Sequence, residues 1–547
     1  MFFKSSLTAF IAAALTISAL ALSSTASAVV EPNRNAPQGG NMNYNLDAEP
    51  ESLHPIMAGD QYSTWIQSYV FDSLCTNDVN TYEFKPRLAE KWEISKDGLT
   101  FTFFLRKDAY FHNGENVTAD DVKFSLDAIR EPKHQALNML PYFETFSKVD
   151  VVDKYTVKFT AKEKYFRNFS SLCSMLILPK SVYGNIEKSV KMQKEMVGSG
   201  PYKLDVYDKA QRIVIKKFDK WYGDKGPEKG FFNFAQITFR FSKEDTITIE
   251  KLKKGDIDYH YFRTPDGFLK AKGGSFGTKV FAEKVENKQP KRLSFIGFNL
   301  EKEVLKDKQV RLAFAHLVNR EELNKKFFEN MQLLATSPVY VKSDQAPNSK
   351  PIKFDPKKAQ EILTKAGWKD EDKNGVLEKT INGKKEELKF TWIYANKDAE
   401  KWWTVIKEDL KKAGIVVELK FQEWNSFTKA IDDKNFDIMS MGWGGGDVEA
   451  DPKQIWHSSS IGKGGSNYIS YKNPEVDKMI DEARAELDPK KRSTLFKKVY
   501  TQIADDVPYV FLFNPRYELF GRSAKMKKPG NTFEYDIGFQ AWWSAEK

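Results

Sequence analysis

The sequence predicts an α/β protein with more than one domain. Strand-like segments alternate with helix-like segments along most of the chain, which is the pattern of sheets covered by helices. The 547 residues exceed what a single compact core accommodates, so two or three domains are expected. Aromatic residues make up 14% of the chain, which suits extensive cores and clefts lined by rings.

Five helices are predicted from capping residues that precede stripes of apolar side chains. Four of them follow the N-caps Thr118, Asp355, Asn473 and Asp488, and the fifth spans 310–318. Proline stands directly after three of these caps, where a helix does not need its missing N–H. The apolar stripe of the helix after Asn473 extends to Leu487, so Leu487 is predicted to face the core.

Seven segments rich in apolar and β-branched residues predict strands. They span 99–105, 155–159, 212–216, 237–241, 388–394, 416–421 and 436–441. The region 389–441 alternates strand, helix, strand, helix, strand, which is typical of a parallel sheet.

The N-terminus has the features of a cleavable secretion signal. Lys4 provides a positive charge, and 7–22 is an uncharged apolar run. Residues 26–28 form the small-x-small pattern that signal peptidase cleaves, so we expect 1–28 to be removed. A membrane anchor is the alternative, but the run is short and rich in Ala and Ser for a span. The mature chain is expected to be soluble and outside the cytoplasm.

The charge of the chain argues against a nucleic-acid partner. Lys and Arg total 85 and Asp and Glu total 75, a formal net charge of +10. The excess is spread thinly, and segments such as 301–326 mix both signs, as a solvated surface does.

The two cysteines, Cys75 and Cys173, allow two interpretations. In an oxidising compartment an even pair favours a disulfide, which would staple an N-terminal subdomain. The alternative is two separately buried thiols.

A secreted hydrolase is the main rival class. The sequence contains no His-Glu-x-x-His zinc motif and no Gly-x-x-x-x-Gly-Lys-Ser/Thr phosphate loop. The histidines, at positions 54, 112, 134, 260, 316 and 457, have no metal-ligand spacing. We therefore predict a protein that is not an enzyme and that uses no cofactor or metal, although acids distant in sequence can still meet in space.

One motif is similar to a metal loop. The pattern Asp-x-Asp-x-Asn-Gly at 370–375 matches the start of a calcium-binding loop. The twelfth position, Ile381, should be a bidentate Glu, and Glu378 has the wrong spacing to replace it. We therefore interpret the segment as a solvated turn.

Long motifs carry a resemblance to a known family. The strongest is KPRLAEKW at 85–92, followed by DGLTFTFFLRKDAYFHNG at 97–114 and TADDVKFS at 118–125. Further matches follow at 198–202, 255–258, 298–299, 310–314, 319–321, 437–443 and 473–477. In these residues the chain resembles the family 5 extracellular solute-binding proteins, which are peptide, oligopeptide and nickel receptors of ABC transporters. The segment 451–471 is most similar to the oligopeptide branch.

The resemblance implies a class II periplasmic-binding fold, with two lobes, a hinge and a subdomain inserted in the first lobe. On this basis we place the first lobe at 29–76, 196–290 and 509–547, the inserted subdomain at 77–195 and the second lobe at 291–508.

The resemblance also implies which residues contact the ligand between the lobes. In the second lobe these are Trp424, Trp443 and Asp447, and Asp447 is expected to pair with the α-ammonium of a peptide. The triple glycine 444–446 places Asp447 one residue later than in the family pattern, so Asp451 is a competing candidate. Further candidates are Asp60, Tyr62 and Asn299.

The implied function is that of a monomeric periplasmic receptor of an ABC importer. It would capture a peptide between its lobes and deliver it to a membrane-embedded permease. A receptor for a non-peptide solute, such as a nickel complex, a sugar or an opine-like compound, is the alternative, and a secreted hydrolase is a more distant one.

Overall fold

The computed structural model describes residues 30–136, 139–226, 228–272, 279–462, 465–530 and 533–546. The predicted signal peptide, 1–28, lies outside the described residues. Over the described ranges, no helix has both the length and the apolar character that a membrane span requires.

The strands of the described residues are β1 Asn41–Leu46, β2 Cys75–Asn77, β3 Phe84–Pro86, β4 Ala89–Ile94, β5 Thr100–Leu105, β6 Phe146–Asp153, β7 Thr156–Ala161, β8 Tyr202–Asp208, β9 Arg212–Lys217, β10 Gln236–Phe241, β11 Tyr259–Tyr261, β12 Val280–Val285, β13 Leu293–Phe298, β14 Gln332–Leu334, β15 Glu378–Ile381, β16 Lys384–Glu387, β17 Lys389–Tyr394, β18 Val416–Phe421, β19 Ile438–Trp443, β20 Tyr509–Pro515, β21 Glu518–Ser523, β22 Met526–Lys527 and β23 Trp543–Ser544.

The α-helices are α1 Gln61–Val70, α2 Ala119–Arg130, α3 Arg167–Ser174, α4 Lys180–Tyr183, α5 Ile186–Ser189, α6 Asp245–Lys254, α7 Pro265–Lys272, α8 Glu303–Lys306, α9 Lys308–His316, α10 Arg320–Phe328, α11 Pro356–Lys365, α12 Glu400–Lys412, α13 Trp424–Asp432, α14 Lys453–Trp456, α15 Pro474–Ala485 and α16 Pro489–Asp506.

Two large sheets define two lobes. A seven-stranded sheet with the order β12-β21-β11-β1-β10-β9-β8 forms the first lobe, and a six-stranded sheet with the order β14-β20-β13-β19-β17-β18 forms the second. Both sheets are mixed. In the first, β1 runs parallel to β10 and β11, and β9 and β21 are antiparallel to their neighbours. The predicted two-lobed α/β fold is confirmed.

The predicted parallel region lies in the second sheet. β17 pairs in parallel with β18 and with β19, and α12 and α13 lie between these strands in the chain. β13 joins the edge of β19 in antiparallel orientation, and β20 pairs with β13 in the same way. Within the second sheet, the parallel pairing is therefore confined to the 389–443 region.

The chain passes between the two sheets twice. The first connection, 286–292, joins β12 to β13, and the second, 516–517, joins β20 to β21. We call these two segments the hinge connections. The second lobe therefore extends to Pro515, and the predicted return to the first lobe at 509 is seven residues too early. The sequence could not show this, because β20 is buried along almost its whole length and such a strand suits either sheet.

A four-stranded antiparallel sheet with the order β4-β5-β7-β6 lies within the predicted insertion, 77–195. It does not have a core of its own. Phe103 and Phe159 of this sheet belong to the same buried cluster as Ile215 and Phe239 of the first-lobe sheet. The insertion and the first lobe are therefore packed as one body.

A disulfide joins Cys75 of β2 to Cys173 of α3. The bridge spans 98 residues and ties the strand that leads into the insertion to a helix within it. Of the two interpretations of the cysteines, the structure contains the disulfide.

Alternation along β13 divides the second lobe into two cores. Phe295 belongs to a cluster with residues of α15 and α16, whereas Ile296 belongs to a cluster with residues of α9, α11 and α12. Successive side chains of a strand point to opposite faces, so helices cover the second sheet on both sides.

The five predicted helices are present as α2, α9, α11, α15 and α16, and the seven predicted strands are β5, β7, β9, β10, β17, β18 and β19. The prediction for Leu487 is wrong. α15 ends at Ala485, and the chain turns at Glu486 before α16 begins, so Leu487 leaves the apolar stripe and is exposed.

Candidate functional site

A cavity of about 630 Å³ lies between the two lobes. The first lobe contributes one wall, and Met331, Gln332 and 444–446 of the second lobe contribute the other. Both hinge connections, together with Pro515 and Glu518 beside them, lie at its base. Small-molecule and peptide sites commonly occur at such interfaces between domains.

Aromatic side chains dominate the first-lobe wall. They are Tyr44, Trp65, Tyr69, Phe239, Tyr259, Tyr261, Phe262, Tyr535 and Phe539. Strand pairing explains part of this cluster, because Tyr44 of β1 is the register partner of Phe239 on β10 and of Tyr259 on β11. Paired residues share a face of the sheet, and the ring centroid of Tyr44 lies 5.6 Å from that of Phe239 and 4.8 Å from that of Tyr259.

Helix α1 adds Trp65 and Tyr69 to the same wall, since residues four apart lie on one helix face. Asp60 determines where α1 begins. Its Oδ1 accepts hydrogen bonds from the backbone N–H groups of Tyr62 and Ser63, each at 2.9 Å. Asp60, a predicted ligand residue, is therefore the N-cap of the helix that carries Trp65 and does not belong to the described lining.

Tyr62 influences the cavity through Arg263. The Arg263 guanidinium donates to the Tyr62 hydroxyl at 2.5 Å and forms an ion pair with Asp47. Arg263 lines the cavity, and so does Arg292, whose Nη2 donates to the Arg263 carbonyl oxygen at 2.8 Å. Burial lowers the pKa of Arg292. Two arginine residues thus line the cavity, where a ligand carboxylate could accept charged hydrogen bonds.

An ion pair joins the first hinge connection to Glu518, the residue that directly follows the second one. The Lys291 ammonium lies 2.8 Å from Glu518 Oε1 and donates to Asn287 Oδ1 at 2.6 Å. Burial lowers the pKa of Lys291, and the charge of Glu518 opposes this effect. A hinge rotation would therefore move charged groups that face the ligand space.

Asp536 is a second acid of the lining, and its Oδ1 accepts the backbone N–H of Gly538 at 2.6 Å. Burial raises the pKa of Asp536, while the hydrogen bond from Gly538 opposes the shift. A second cavity of about 620 Å³ shares Ser68, Tyr69, Asp536 and Gln540 with the first. The two cavities are therefore neighbours within the molecule.

The triple glycine 444–446 forms part of the second-lobe wall. A Cβ on Gly445 would clash with the carbonyl oxygen of Pro290 and with the backbone that follows it. Gly446 has a φ of +127°, a conformation that favours glycine, and its carbonyl accepts from Gln289 Nε2 at 3.1 Å. These contacts hold the wall against the first hinge connection.

Asp447 follows this wall directly and lies at the margin of the cleft. Its side chain is 56% exposed, and its Oδ2 lies 3.0 Å from Nη1 of Arg167 on α3. The residue predicted to meet a ligand ammonium is therefore beside the cavity and already has a cationic partner from the insertion.

Asp451, the competing candidate, is held by three protein donors. Its Oδ2 accepts from the Tyr165 hydroxyl at 2.8 Å and from Arg484 Nε at 2.9 Å, and its Oδ1 accepts from the backbone of Lys453 at 3.0 Å. This carboxylate joins the insertion to the second lobe and is not among the described lining residues.

The two predicted tryptophans differ in their surroundings. Trp443 is half-buried, with ring centroids 5.9 Å from both Phe295 and Tyr468 in stacked geometry. Trp424 begins α13, is 58% exposed and stacks on Phe427. The structure places both outside the described lining.

Asn299 is a buried structural residue. Its Nδ2 donates to the carbonyl oxygens of Lys434 and Phe436 at 3.1 and 2.9 Å, and its Oδ1 accepts from the backbone of Glu301 at 3.0 Å. With every hydrogen-bonding group occupied, Asn299 fixes the loop before β19 and does not face the cavity.

Sequence reasoning missed most of the lining, including Trp65, Tyr259, Arg263, Glu518 and Asp536. These residues come from segments far apart in the chain, and no local motif marks any of them. The high aromatic content was the only sequence signal that pointed toward a ring-lined cleft.

Comparisons with known proteins agree with this architecture. The family described as bacterial extracellular solute-binding proteins, family 5 Middle, matches residues 83–465. The chain is 29% identical over 534 residues to the oligopeptide-binding protein AppA of Bacillus subtilis (strain 168), covering 93% of this chain and 92% of that protein. It is 26% identical over 499 residues to the dipeptide-binding protein of Escherichia coli (strain K12), covering 86% and 88%.

A solved structure shows the same similarity in three dimensions. The oligopeptide-binding protein AppA of Bacillus subtilis, in complex with a nonapeptide, superimposes with a TM-score of 0.74 at 27% identity. The alignment covers 93% of this chain and all of that one, 100%. The chain therefore belongs to family 5 of the bacterial extracellular solute-binding proteins.

Proposed function

We propose that this protein captures peptides in the cavity between its lobes and delivers them, as a periplasmic monomer, to the permease of an ABC importer. The observation that carries the proposal is the cavity of about 630 Å³, which has a ring-lined wall and charged groups of both signs. Rings accept varied side chains, and opposite charges suit a zwitterionic ligand. The similarity to oligopeptide- and dipeptide-binding proteins along most of the chain supports this function.

The charged groups suggest how a peptide would be oriented. Its α-ammonium would meet Asp447, which would exchange the guanidinium of Arg167 for the ligand. A carboxylate of the ligand would be received by Arg263 and Arg292. The exposed backbone of 444–446 would offer hydrogen bonds to the peptide main chain, which gives affinity without strict selection of side chains.

Closure would follow from contacts that a ligand makes with both lobes at once. Such contacts favour the conformation in which the lobes are close, so ligand shifts the population toward it. The two hinge connections are the chain segments that would absorb the rotation. The closed form would then be the one that docks on the permease.

Calorimetric titration with di-, tetra- and nonapeptides, beside a free amino acid, a nickel–histidine complex and an opine-like acid, tests the function. We expect at least one peptide to bind with a negative heat-capacity change, because rings are buried. Trp65→Ala should weaken that peptide by about 2 kcal/mol or more, as the loss of a central aromatic contact does.

Trp424→Ala is the matched control, because it removes the same side chain from an exposed position outside the described lining. Its affinity should equal that of the unmodified protein. Binding of a non-peptide solute with no response to any peptide would overturn the proposal, and equal losses for the two variants would remove this cavity from it.

A further inference from the structure

The loop 370–376 lies between α11 and β15 in the second lobe, and its two ends are joined. The backbone N–H of Lys369 donates to the carbonyl oxygen of Glu378 at 3.1 Å, and the N–H of Glu378 donates back to Lys369 at 2.7 Å. This pair closes the segment into a compact turn that carries the motif Asp-x-Asp-x-Asn-Gly.

The turn brings three carboxylates together. Asp370, Asp372 and Glu378 each offer one oxygen, and these oxygens all lie within 4.8 Å of one another. Gly375, the sixth residue of the motif, has a φ of +85°, which is where a calcium loop requires its sharp turn. Glu378 is the ninth position from Asp370, so it joins the cluster from the first residue of β15.

The burial of Glu378 distinguishes this turn from an ordinary acidic loop. The residue is only 5% exposed, and no group among the described residues hydrogen-bonds its Oε2. Its Oε1 accepts from the backbone N–H groups of Glu371 and Asp372 at 3.0 and 3.3 Å. A buried carboxylate oxygen without a partner is costly, and its position beside two other carboxylates makes a cation the fitting partner.

Among the described residues, Lys385 is the cation that forms ion pairs with this cluster. Its ammonium is 2.8 Å from Asp372 Oδ2 and 3.5 Å from the Oε1 of Glu378. The side chain is half exposed and comes from β16, so it can swing into solvent. One monovalent ammonium does not neutralise three carboxylates, which leaves the cluster with a net negative charge.

We propose that Asp370, Asp372 and Glu378 bind a calcium ion in place of the Lys385 ammonium. All the ligand atoms are carboxylate oxygens, which suit a hard cation such as calcium. Two of the three carboxylates are exposed, which suits an ion that is weakly held and keeps some of its water. This departs from our sequence interpretation of a solvated turn. That interpretation rested on the missing acidic ligand at the twelfth position, whereas in the fold Glu378, at the ninth position, belongs to the cluster.

The ion would tie the end of α11 to the β15–β16 hairpin. The residues that carry the site are separate from the described lining of the interlobe cavity, so the expected effect is on the stability of the second lobe rather than on ligand contacts.

Titration of chelator-treated full-length protein with CaCl₂, followed by calorimetry and by thermal unfolding, tests the proposal. We expect one site with a dissociation constant of about 10⁻⁴–10⁻³ M, as in extracellular calcium modules, and a higher Tm in calcium. MgCl₂ should bind more weakly, because Mg²⁺ demands a tighter octahedral arrangement.

Variants locate the site. Glu378→Gln and Asp370→Asn should each weaken calcium at least about tenfold through the loss of a charged ligand. Glu361→Gln, which removes an exposed acid of the neighbouring helix α11, should leave calcium affinity unchanged. Lys385→Gln should tighten binding several-fold, because the competing ammonium is gone.

The exposed Asp370→Asn change keeps the test decisive if Glu378→Gln fails to fold. No calcium binding by the unmodified protein, or equal binding by Asp370→Asn and Glu361→Gln, would overturn the proposal. So would a Lys385→Gln variant with unchanged calcium affinity.

Discussion

Replacement of Asp447 by Asn tests the proposed contact with the ligand ammonium. A hydrogen bond to a charged group is worth about 1.5–3 kcal/mol. In the free protein the carboxylate must first leave Arg167, and an ion pair whose acid is 56% exposed contributes about 0.2–1 kcal/mol. The difference is about 0.5–2.8 kcal/mol, so Asp447→Asn should raise the peptide dissociation constant roughly 2- to 100-fold in calorimetry.

Arg167→Gln is the companion variant that separates two roles of Asp447. The guanidinium of Arg167 also lies 5.0 Å from the ring centroid of Tyr142, so it keeps a contact when Asp447 turns to the ligand. If Asp447 serves the ammonium, removal of its competitor should leave peptide affinity unchanged or improve it. Similar small losses in both single variants, with no further loss in the double variant, would refute the reasoning and show that the pair only joins the lobes.

Two further predictions concern the hinge and the response to acid. Gly445→Ala should weaken peptide binding roughly tenfold, because its Cβ would push the wall off the first hinge connection, whereas Gly530→Ala, outside the described lining, has nothing within 4 Å of its Cβ and should match the unmodified protein. Equal affinities of these two variants would contradict the role given to Gly445. Burial, together with the charge of His134, lowers the pKa of His54 from 6.5 to about 4. The imidazole therefore takes up a proton at higher pH in the unfolded chain than in the folded one, and the free energy of unfolding falls as pH drops from 6.5 to 4. The shift corresponds to about 3 kcal/mol, and urea unfolding between pH 7 and pH 4 should show a shallower loss for His54→Asn; identical slopes would argue against it.

The predicted elements that held were those with local causes. α11 begins where Asp355 accepts the backbone N–H of Lys358 at 2.9 Å, a bond between residues three apart in the chain. The strands of the 389–443 region carry apolar residues that would be buried in any sheet. The prediction for Leu487 was wrong because its burial depended on where α15 ends, and the spacing of apolar residues does not reveal the turn at Glu486.

The predicted site residues fared differently, because each was placed by resemblance and not by its neighbours. Asp447 lies beside the cavity, but Asp451 and Asn299 form their hydrogen bonds with other groups of the protein. The sequence shows which side chain stands at a position, but it does not show whether that side chain hydrogen-bonds to the protein or remains open to a ligand. The partners of these two residues come from other parts of the chain: Tyr165 and Arg484 bind Asp451, and Asn299 donates to the carbonyl oxygen of Lys434.

The sequence by itself determined the α/β class, the two-lobed family fold and the helices with their caps. These follow from periodicity, from capping chemistry and from long family motifs, all of which are readable within short stretches of chain. Only the tertiary structure decided that β20 belongs to the second sheet, that Glu378 completes the acidic cluster, and which residues line the cavity. Those outcomes depend on contacts between residues far apart in sequence, and their energies exist only after the chain has folded.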